Sequence, residues 1–245
     1  MKGLLHRLLI IEFEARIFVS FSIIAGIALV SFLTFRSMPT VAVLLGRLTG
    51  LAAETSQRWG FIGAAVLTAA GTILRMWAGS VLTSQRMMSF PVQQDALKTS
   101  GPYRLVRNPI YLADLIAFAG FVLCLRPVGL LWPLLLYLHY TRLVKYEEES
   151  LGDSFDAGFQ AYLASAPSFI PDRRSIRQLG PALREFYINA DGARHNALFL
   201  LFVPGFITAA VTGSLLHAVL IGLPAVVDWA VVHTRKGLAA RPGKA

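Results

Sequence analysis

The chain has 245 residues, of which 55% are hydrophobic and only 15% are charged, with a formal net charge of +9 and a mean hydropathy of +0.58. Because an ordinary soluble domain has about 45–50% apolar and about 25% charged residues, this composition excludes a disordered chain and disfavours a soluble globular enzyme. A single cysteine, Cys124, excludes a disulfide scaffold. The remaining class is an all-α integral membrane protein.

Long apolar stretches follow one another along the chain. A bilayer core of about 30 Å needs roughly 20 apolar residues in a helix. The candidate stretches are 17–35, 59–82, 110–140 and 197–233. Arg126-Pro127 interrupts the third, which predicts a helical hairpin, and Gly213 marks a turn in the fourth. We therefore predict a polytopic transmembrane helical bundle with about six membrane segments.

Positive charge is distributed unevenly between the two predicted faces. With the N-terminus inside, the inner segments hold 18 lysines and arginines and the outer segments hold four. The positive-inside rule then predicts that both termini are cytoplasmic, in a bacterial inner membrane. The basic inner face is expected to contact anionic membrane lipids. The sequence shows no nucleic-acid-binding motif and no basic cluster with interleaved aromatic residues, so nucleic acid is not an expected partner.

The inner segment 93–111 contains a predicted helix start. Asn108 is a favourable N-cap residue, and Pro109 is tolerated at the first helical position. Backbone amides at such a start can hold an anion, and Arg104 and Arg107 come just before it. The alternative interpretation is a positive-inside anchor with tyrosines at the membrane interface.

The inner segment 141–171 begins with an acidic run, Glu147 to Glu149. Apolar residues follow at helical spacing and predict an amphipathic helix that lies on the membrane or on the inner loop: Leu151, Phe155, Phe159 and Tyr162. Carboxylates opposite arginines at one membrane edge suit a zwitterionic cofactor. The alternative is that the glutamates form a solvated acidic face.

Short sequence elements in a fixed order carry a family resemblance. They are L-R-x-W-A at 74–78, G-P-Y-R-x-x-R-N-P-x-Y at 101–111, E-E-x-x-L at 147–151 and A-P-x-F-I-P at 166–171. In order and spacing, these elements resemble the isoprenylcysteine carboxyl methyltransferase and phospholipid methyltransferase superfamily of integral membrane enzymes. The resemblance covers about residues 60–171.

This resemblance implies an enzyme that uses S-adenosylmethionine as cofactor and methylates a lipophilic acceptor. A cofactor pocket opens to the cytoplasm, and a tunnel reaches sideways into the bilayer for the acceptor. The positions that the resemblance places around the cofactor are Tyr103, Arg104, Arg107, Asn108, Pro109, Tyr111, Glu147 and Glu148.

Four residues are the candidate catalytic groups. A carboxylate acceptor needs a cation to orient it, for which Arg75 or Arg107 is suited. An amine or thiol acceptor must lose a proton, for which Glu148 or Asp114 is suited. Arg75 and Asp114 lie within predicted spans, where charges usually face a bundle interior or a watery cavity. They form either an acceptor-site pair or a structural ion pair.

The family's histidine is replaced here by Asn108, which can donate a hydrogen bond but does not carry a proton near neutral pH. Asn108 thus leaves open a non-catalytic membrane protein of the same fold. The arginine-rich helix start also resembles that of sterol reductases, so an NADPH-dependent membrane reductase is a second alternative. The histidines show no mutual ligand spacing and have no cysteine partners, so no metal site is predicted.

Three regions are expected along the chain. Residues 1–58 form an N-terminal anchor span and an interfacial segment, and residues 59–171 form the methyltransferase-like membrane core. Residues 172–245 form a C-terminal extension with two further membrane helices. This extension is expected to bound the acceptor tunnel or to form an oligomer contact.

Overall fold

The computed structural model describes residues 9–13, 15–34, 38–82, 98–152, 156–194 and 196–239. Phe35, residues 93–97 and Phe155, which entered the sequence predictions, lie outside these described residues. Within the described ranges the chain is helical and contains no β-strand, which confirms the all-α class. The α-helices in chain order are α1 (Arg16–Leu33), α2 (Val41–Leu48), α3 (Ala53–Leu82), α4 (Pro109–Cys124), α5 (Leu131–Gly152), α6 (Asp156–Ser165), α7 (Arg173–Ile176), α8 (Leu179–Arg184), α9 (Ala190–Ala193), α10 (Phe202–Thr212) and α11 (Leu215–Ala239).

Two helices are long and apolar enough to cross a membrane, judged by length and composition: α3 and the Leu215–Val232 part of α11. Shorter apolar helices cover Phe18–Leu33, Pro109–Cys124 and Ala197–Thr212. A helix of 16 residues such as α4 is only about 24 Å long at 1.5 Å per residue, which is less than the bilayer core. The count of six membrane segments therefore stays a prediction.

The predicted chain reversals coincide with breaks between helices. α4 ends at Cys124, and a 3₁₀ turn, Pro127–Leu130, connects it to α5. Gly213 separates α10 from α11 and has a φ of 75°, a left-handed conformation that glycine adopts without a steric penalty. Both turns were predicted from their proline and glycine residues.

The central packing contact is the crossing of α3 and α4, which small residues bring close together. A Cβ atom added at Gly71 would lie 2.5 Å from the carbonyl oxygen of Ala113, and one at Gly120 would lie 2.9 Å from that of Ala64. Side chains are thus excluded from the contact. This close approach brings Arg75 on α3 next to Asp114 on α4.

The C-terminal helices also pack on α3. Phe61 and Ala64 of α3 form one buried cluster with Phe206 and Ala209 of α10. α10 in turn packs on α11, where a Cβ at Gly205 would lie 2.9 Å from the Cα of Ala218. α1 lies on α5 instead, through a second apolar cluster. Both clusters include a buried residue of α4, Val122 in the α1–α5 cluster and Cys124 in the cluster with α10.

The predicted amphipathic helix corresponds only in part to α6: Leu151 falls at the end of α5, Phe155 lies outside the described residues, and Phe159 and Tyr162 are on α6. Phe159 and Tyr162 of α6 are buried. The hydroxyl of Tyr162 donates to the backbone carbonyl of Tyr103 at 2.9 Å, in the 3₁₀ turn Gly101–Arg104. α6 therefore supports the turn that carries the predicted cofactor residues.

Candidate active site

A cavity of about 670 Å³ lies between α1, α3, α4, α5, α10 and α11. Its volume is within the range of pockets that hold small-molecule ligands. One end is polar and is formed by the N-terminal end of α4 and the C-terminal part of α5. The other end is apolar and is lined by aromatic side chains: Phe118, Phe121, Trp132, Phe199, Phe202 and Phe206. The arrangement can hold a charged molecule and an apolar chain next to each other.

Arg107 and Glu148 form an ion pair at the polar end, with 2.8 Å between Nε and Oε1. The guanidinium of Arg107 also donates to the carbonyl oxygens of Leu163 and Ala166, at the C-terminal end of α6. The backbone amide of Arg107 donates to the carbonyl of Pro167 at 2.8 Å. Three segments that are distant in sequence are joined at this arginine, and the pair lines the cavity.

Glu147 contacts a different partner. The hydroxyl of Tyr111 donates to its carboxylate at 2.9 Å, and both residues line the cavity. Burial raises the pKa of Glu147 from 4.5 to about 7, although the Tyr111 hydrogen bond and the positive charge of Arg16 act in the opposite direction. Glu147 can therefore take up and release a proton near neutral pH.

Asn108 occupies the N-cap position of α4 and Pro109 the first helical position, as predicted. The expected capping by the asparagine side chain is wrong, because its amide nitrogen donates to the hydroxyl and the carbonyl of Ser168, at 3.2 and 3.3 Å. The Asn108 φ of −123° and ψ of 59° differ from the extended backbone usual for a capping residue. Asn108 instead ties the start of α4 to the segment after α6.

Tyr103 supplies a buried hydroxyl that lines the cavity. Among the described residues this hydroxyl has no hydrogen-bond partner. Desolvation raises the pKa of Tyr103, so the hydroxyl is a neutral donor. A buried hydroxyl without a partner costs free energy, and a ligand in the cavity can satisfy it.

Arg104 is oriented differently from the sequence expectation. Its guanidinium pairs with Glu185, with 2.6 Å between Nη2 and Oε1, rather than contacting Glu147 or Glu148. Glu185 also accepts from the backbone amide of Gly101 at 2.6 Å. These hydrogen bonds lower the pKa of the Glu185 carboxyl and raise the pKa of Arg104. The Arg104–Glu185 contact therefore stabilises the 3₁₀ turn, and the Arg104 guanidinium is directed to Glu185 and not to Glu147 or Glu148.

Arg75 and Asp114 form an ion pair between the polar and apolar ends of the cavity, and both line it. The hydroxyl of Tyr140 lies 3.4 Å from the second oxygen of Asp114. Arg75 Nε donates to the side-chain oxygen of Asn196 at 2.9 Å. The predicted pair is thus part of a network of four side chains.

Sequence reasoning missed Asn196, Glu185 and Tyr140. Asn196 and Glu185 lie in the C-terminal extension, beyond the segment that carries the resemblance, and neither stands in a recognisable motif. The available signal was that buried charges such as Arg75 need more than one partner. His139 on α5 is also buried, and its Nδ1 lies 2.8 Å from the Glu12 carboxylate.

A comparison with known protein families gives one result. Residues 59–157 match the family model described as phospholipid methyltransferase. The matched segment runs from α3 to the start of α6 and contains the α3–α4 crossing and all eight residues that the resemblance placed around a cofactor. No curated protein and no solved structure matches the chain significantly.

Proposed function

Because residues 59–157 belong to the phospholipid methyltransferase family, we propose that the protein transfers a methyl group from S-adenosylmethionine to a lipophilic acceptor at the cytoplasmic membrane edge. One observation carries this proposal: a single cavity joins the Arg107–Glu148 and Tyr111–Glu147 pairs to a chamber lined by aromatic rings. The polar end suits the cofactor, and the apolar end suits the acceptor chain.

The residues at the polar end fit this cofactor. Its carboxylate matches the Arg107 guanidinium, and its ammonium and ribose hydroxyls match the carboxylates of Glu147 and Glu148. The Tyr103 hydroxyl offers a further donor that is otherwise unsatisfied. Asn108 lines the cavity beside them. When bound, S-adenosylmethionine supplies an electrophilic methyl group on a sulfonium whose leaving group departs neutral, so no general acid is required.

The contribution of the chain is to position the reactants and to exclude water. The Arg75–Asp114 pair lies between the two ends of the cavity, where the polar end of an acceptor would meet the methyl group. A carboxylate acceptor would be oriented by Arg75. An amine or thiol acceptor would lose its proton to Glu147, because Glu148 is already paired with Arg107 and Asp114 with Arg75.

The test is cofactor binding by purified protein in mild detergent, measured by calorimetry. Arg107→Ala and Glu148→Ala should each weaken S-adenosylmethionine binding by about tenfold or more, because each leaves a partner charge unpaired. Arg58→Ala is the matched control, since the Arg58–Glu54 pair is largely exposed near the start of α3. This substitution should leave S-adenosylmethionine affinity unchanged.

Wild-type affinity in both site variants would overturn the site assignment. Binding of NADPH without binding of S-adenosylmethionine would support the membrane reductase instead. A folded protein that binds neither would support the non-catalytic alternative.

A further inference from the structure

Two arginines of the family-matched segment each contact a residue that lies outside it. Arg104 pairs with Glu185, and Arg75 donates to Asn196. Both partners belong to one stretch of the C-terminal extension, residues 185–194 together with Asn196, which we name the C-terminal strap. The strap thus contacts the turn that carries Tyr103 and the ion pair in the middle of the cavity.

The strap is attached to α3 between these two contacts. The hydroxyl of Tyr187 donates to the carbonyl of Ser80 at 2.8 Å, and the backbone amide of Asn189 donates to the Ser80 hydroxyl at 3.0 Å. A Cβ added at Gly192 would lie 2.2 Å from the Ser80 hydroxyl oxygen and 2.7 Å from the carbonyl oxygen of Met76. Only glycine permits this approach, so the position of the strap on α3 is fixed.

Asn196 uses both ends of its amide. Its oxygen accepts from Arg75 Nε at 2.9 Å, and its nitrogen donates to the carbonyl of Gly192 at 2.8 Å. The side chain is 2% exposed and lines the cavity with Arg75 and Asp114. A fixed acceptor at Nε leaves the far side of the guanidinium to face Asp114. The orientation of Arg75 therefore depends on the strap.

Glu185 acts on the other end of the site. It binds the backbone amide of Gly101 and the guanidinium of Arg104, the first and last residues of the 3₁₀ turn. Gly101 has a φ of 57°, a left-handed conformation that glycine adopts without a steric penalty, so the Glu185 contact selects this conformation rather than relieving strain. Tyr103 lies inside this turn, so its direction into the cavity depends on the same carboxylate.

We infer that the C-terminal strap is a positioning element of the active site, in which Asn196 orients Arg75 toward the acceptor and Glu185 sets the turn that presents Tyr103 to the cofactor. This inference rests on the proposed function. It assigns the two strap residues to separate steps, acceptor use and cofactor binding.

A kinetic split tests this assignment, with phosphatidylethanolamine in mixed micelles as the acceptor probe, because its phosphate offers Arg75 an anion next to the amine. Asn196→Leu should raise the acceptor KM or lower kcat by about tenfold and leave S-adenosylmethionine affinity unchanged, whereas Glu185→Ala should weaken S-adenosylmethionine binding by about tenfold. Glu185→Gln keeps an oxygen acceptor for the Gly101 amide, so it should reduce S-adenosylmethionine affinity less than Glu185→Ala does. Arg184→Ala, at an exposed neighbouring position, should alter neither quantity.

Asn196→Leu and Glu185→Ala could instead each reduce acceptor use and S-adenosylmethionine affinity to the same extent. That result would mean that the strap only stabilises the fold, and it would overturn the inference. If Asn196→Leu does not fold, Asn196→Ala takes its place, because it removes the acceptor for Arg75 and the donor to Gly192 without adding bulk or charge. This variant should show the same loss of acceptor use with unchanged S-adenosylmethionine affinity, and wild-type acceptor kinetics would overturn the inference.

A double-mutant cycle of Arg75→Gln and Asn196→Leu on detergent-solubilised protein needs neither cofactor nor acceptor. The effects of the two substitutions on the free energy of unfolding should be non-additive, because the two residues share a hydrogen bond. Additive effects would overturn the role of Asn196. If the wild-type protein bound no S-adenosylmethionine, the proposed function would fail, and the cycle would still decide whether Asn196 holds Arg75.

Discussion

Adjacent glutamates on α5 have different partners. Glu148 pairs with Arg107, while Glu147 accepts from Tyr111 on α4. Successive residues of a helix point about 100° apart, so the two carboxylates reach different neighbours although they are consecutive in sequence. The ion-paired carboxylate is suited to holding charge, and the buried one is suited to exchanging a proton.

The raised pKa of Glu147 predicts a pH-dependent stability. Its pKa in the folded protein, about 7, lies above the ordinary value of 4.5, so the folded state binds more protons than the unfolded state between these values. The free energy of unfolding should therefore fall as the pH rises through this window. Glu147→Gln should remove this part of the pH dependence, as measured by detergent-phase denaturation at a series of pH values.

Glu149 supplies the control for this experiment, since it is the exposed neighbour in the same acidic run. Glu149→Gln should leave the pH profile of the wild-type protein unchanged. A Glu147→Gln profile that still falls across the same window would show that another group is responsible.

At the scale of elements, the α3–α4 crossing determines the geometry of the site. Gly71 allows the two backbones to touch, and the resulting contact places Arg75 and Asp114, each within about one turn of the crossing, in an ion pair. A larger residue at the crossing would separate the helices. Both packing and the position of the charged pair therefore depend on one glycine.

Gly71→Ala should destabilise the protein by roughly 1–3 kcal/mol, because the added Cβ would lie within 2.9 Å of Ala113 and Ala117 atoms and the backbones would have to shift. Gly26→Ala in α1 is the matched control, since a Cβ there meets no atom within 4 Å. It should be neutral or stabilising by up to about 1 kcal/mol through helix propensity. Equal unfolding free energies for the two variants would contradict the packing argument.

At the scale of the whole molecule, the cavity reaches the apolar surface between α1 and α11. Phe21 and Trp229 stack across this gap with ring centroids 5.9 Å apart, and both line the cavity. Phe21 is 45% exposed, and Leu223 and Val226 of α11 also line the cavity while being exposed on the outside. Under the proposed function, an apolar acceptor chain would enter the cavity here.

Phe21→Ala should raise the KM for a long-chain lipid acceptor by about threefold to tenfold, since an aromatic contact with the chain is lost. Its affinity for S-adenosylmethionine should stay unchanged. Phe18→Ala is the control, because Phe18 is 66% exposed on the same helix and lies outside the cavity lining. An equal effect of both substitutions would indicate that membrane insertion, and not chain entry, had been altered.

Local sequence patterns were sufficient to predict the long apolar helices, the chain reversals near Arg126 and Gly213, and the helix start at Pro109, but not the short helices α7 to α9. The reason is that hydrophobic runs, prolines and glycines act on the residues next to them. The free-energy cost of burying a charge likewise indicated that Arg75 and Asp114 could form an ion pair.

Only the tertiary structure decided which long-range partners the site residues have. Arg104 contacts Glu185, Asn108 contacts Ser168, and Asn196 holds Arg75 across 121 positions of sequence. No local periodicity encodes such pairs, since they arise when helices cross and bring distant segments to one place. The sequence by itself thus determined the helical class and the chemistry available, whereas the packing of α3, α4 and the C-terminal strap decided how those groups are combined.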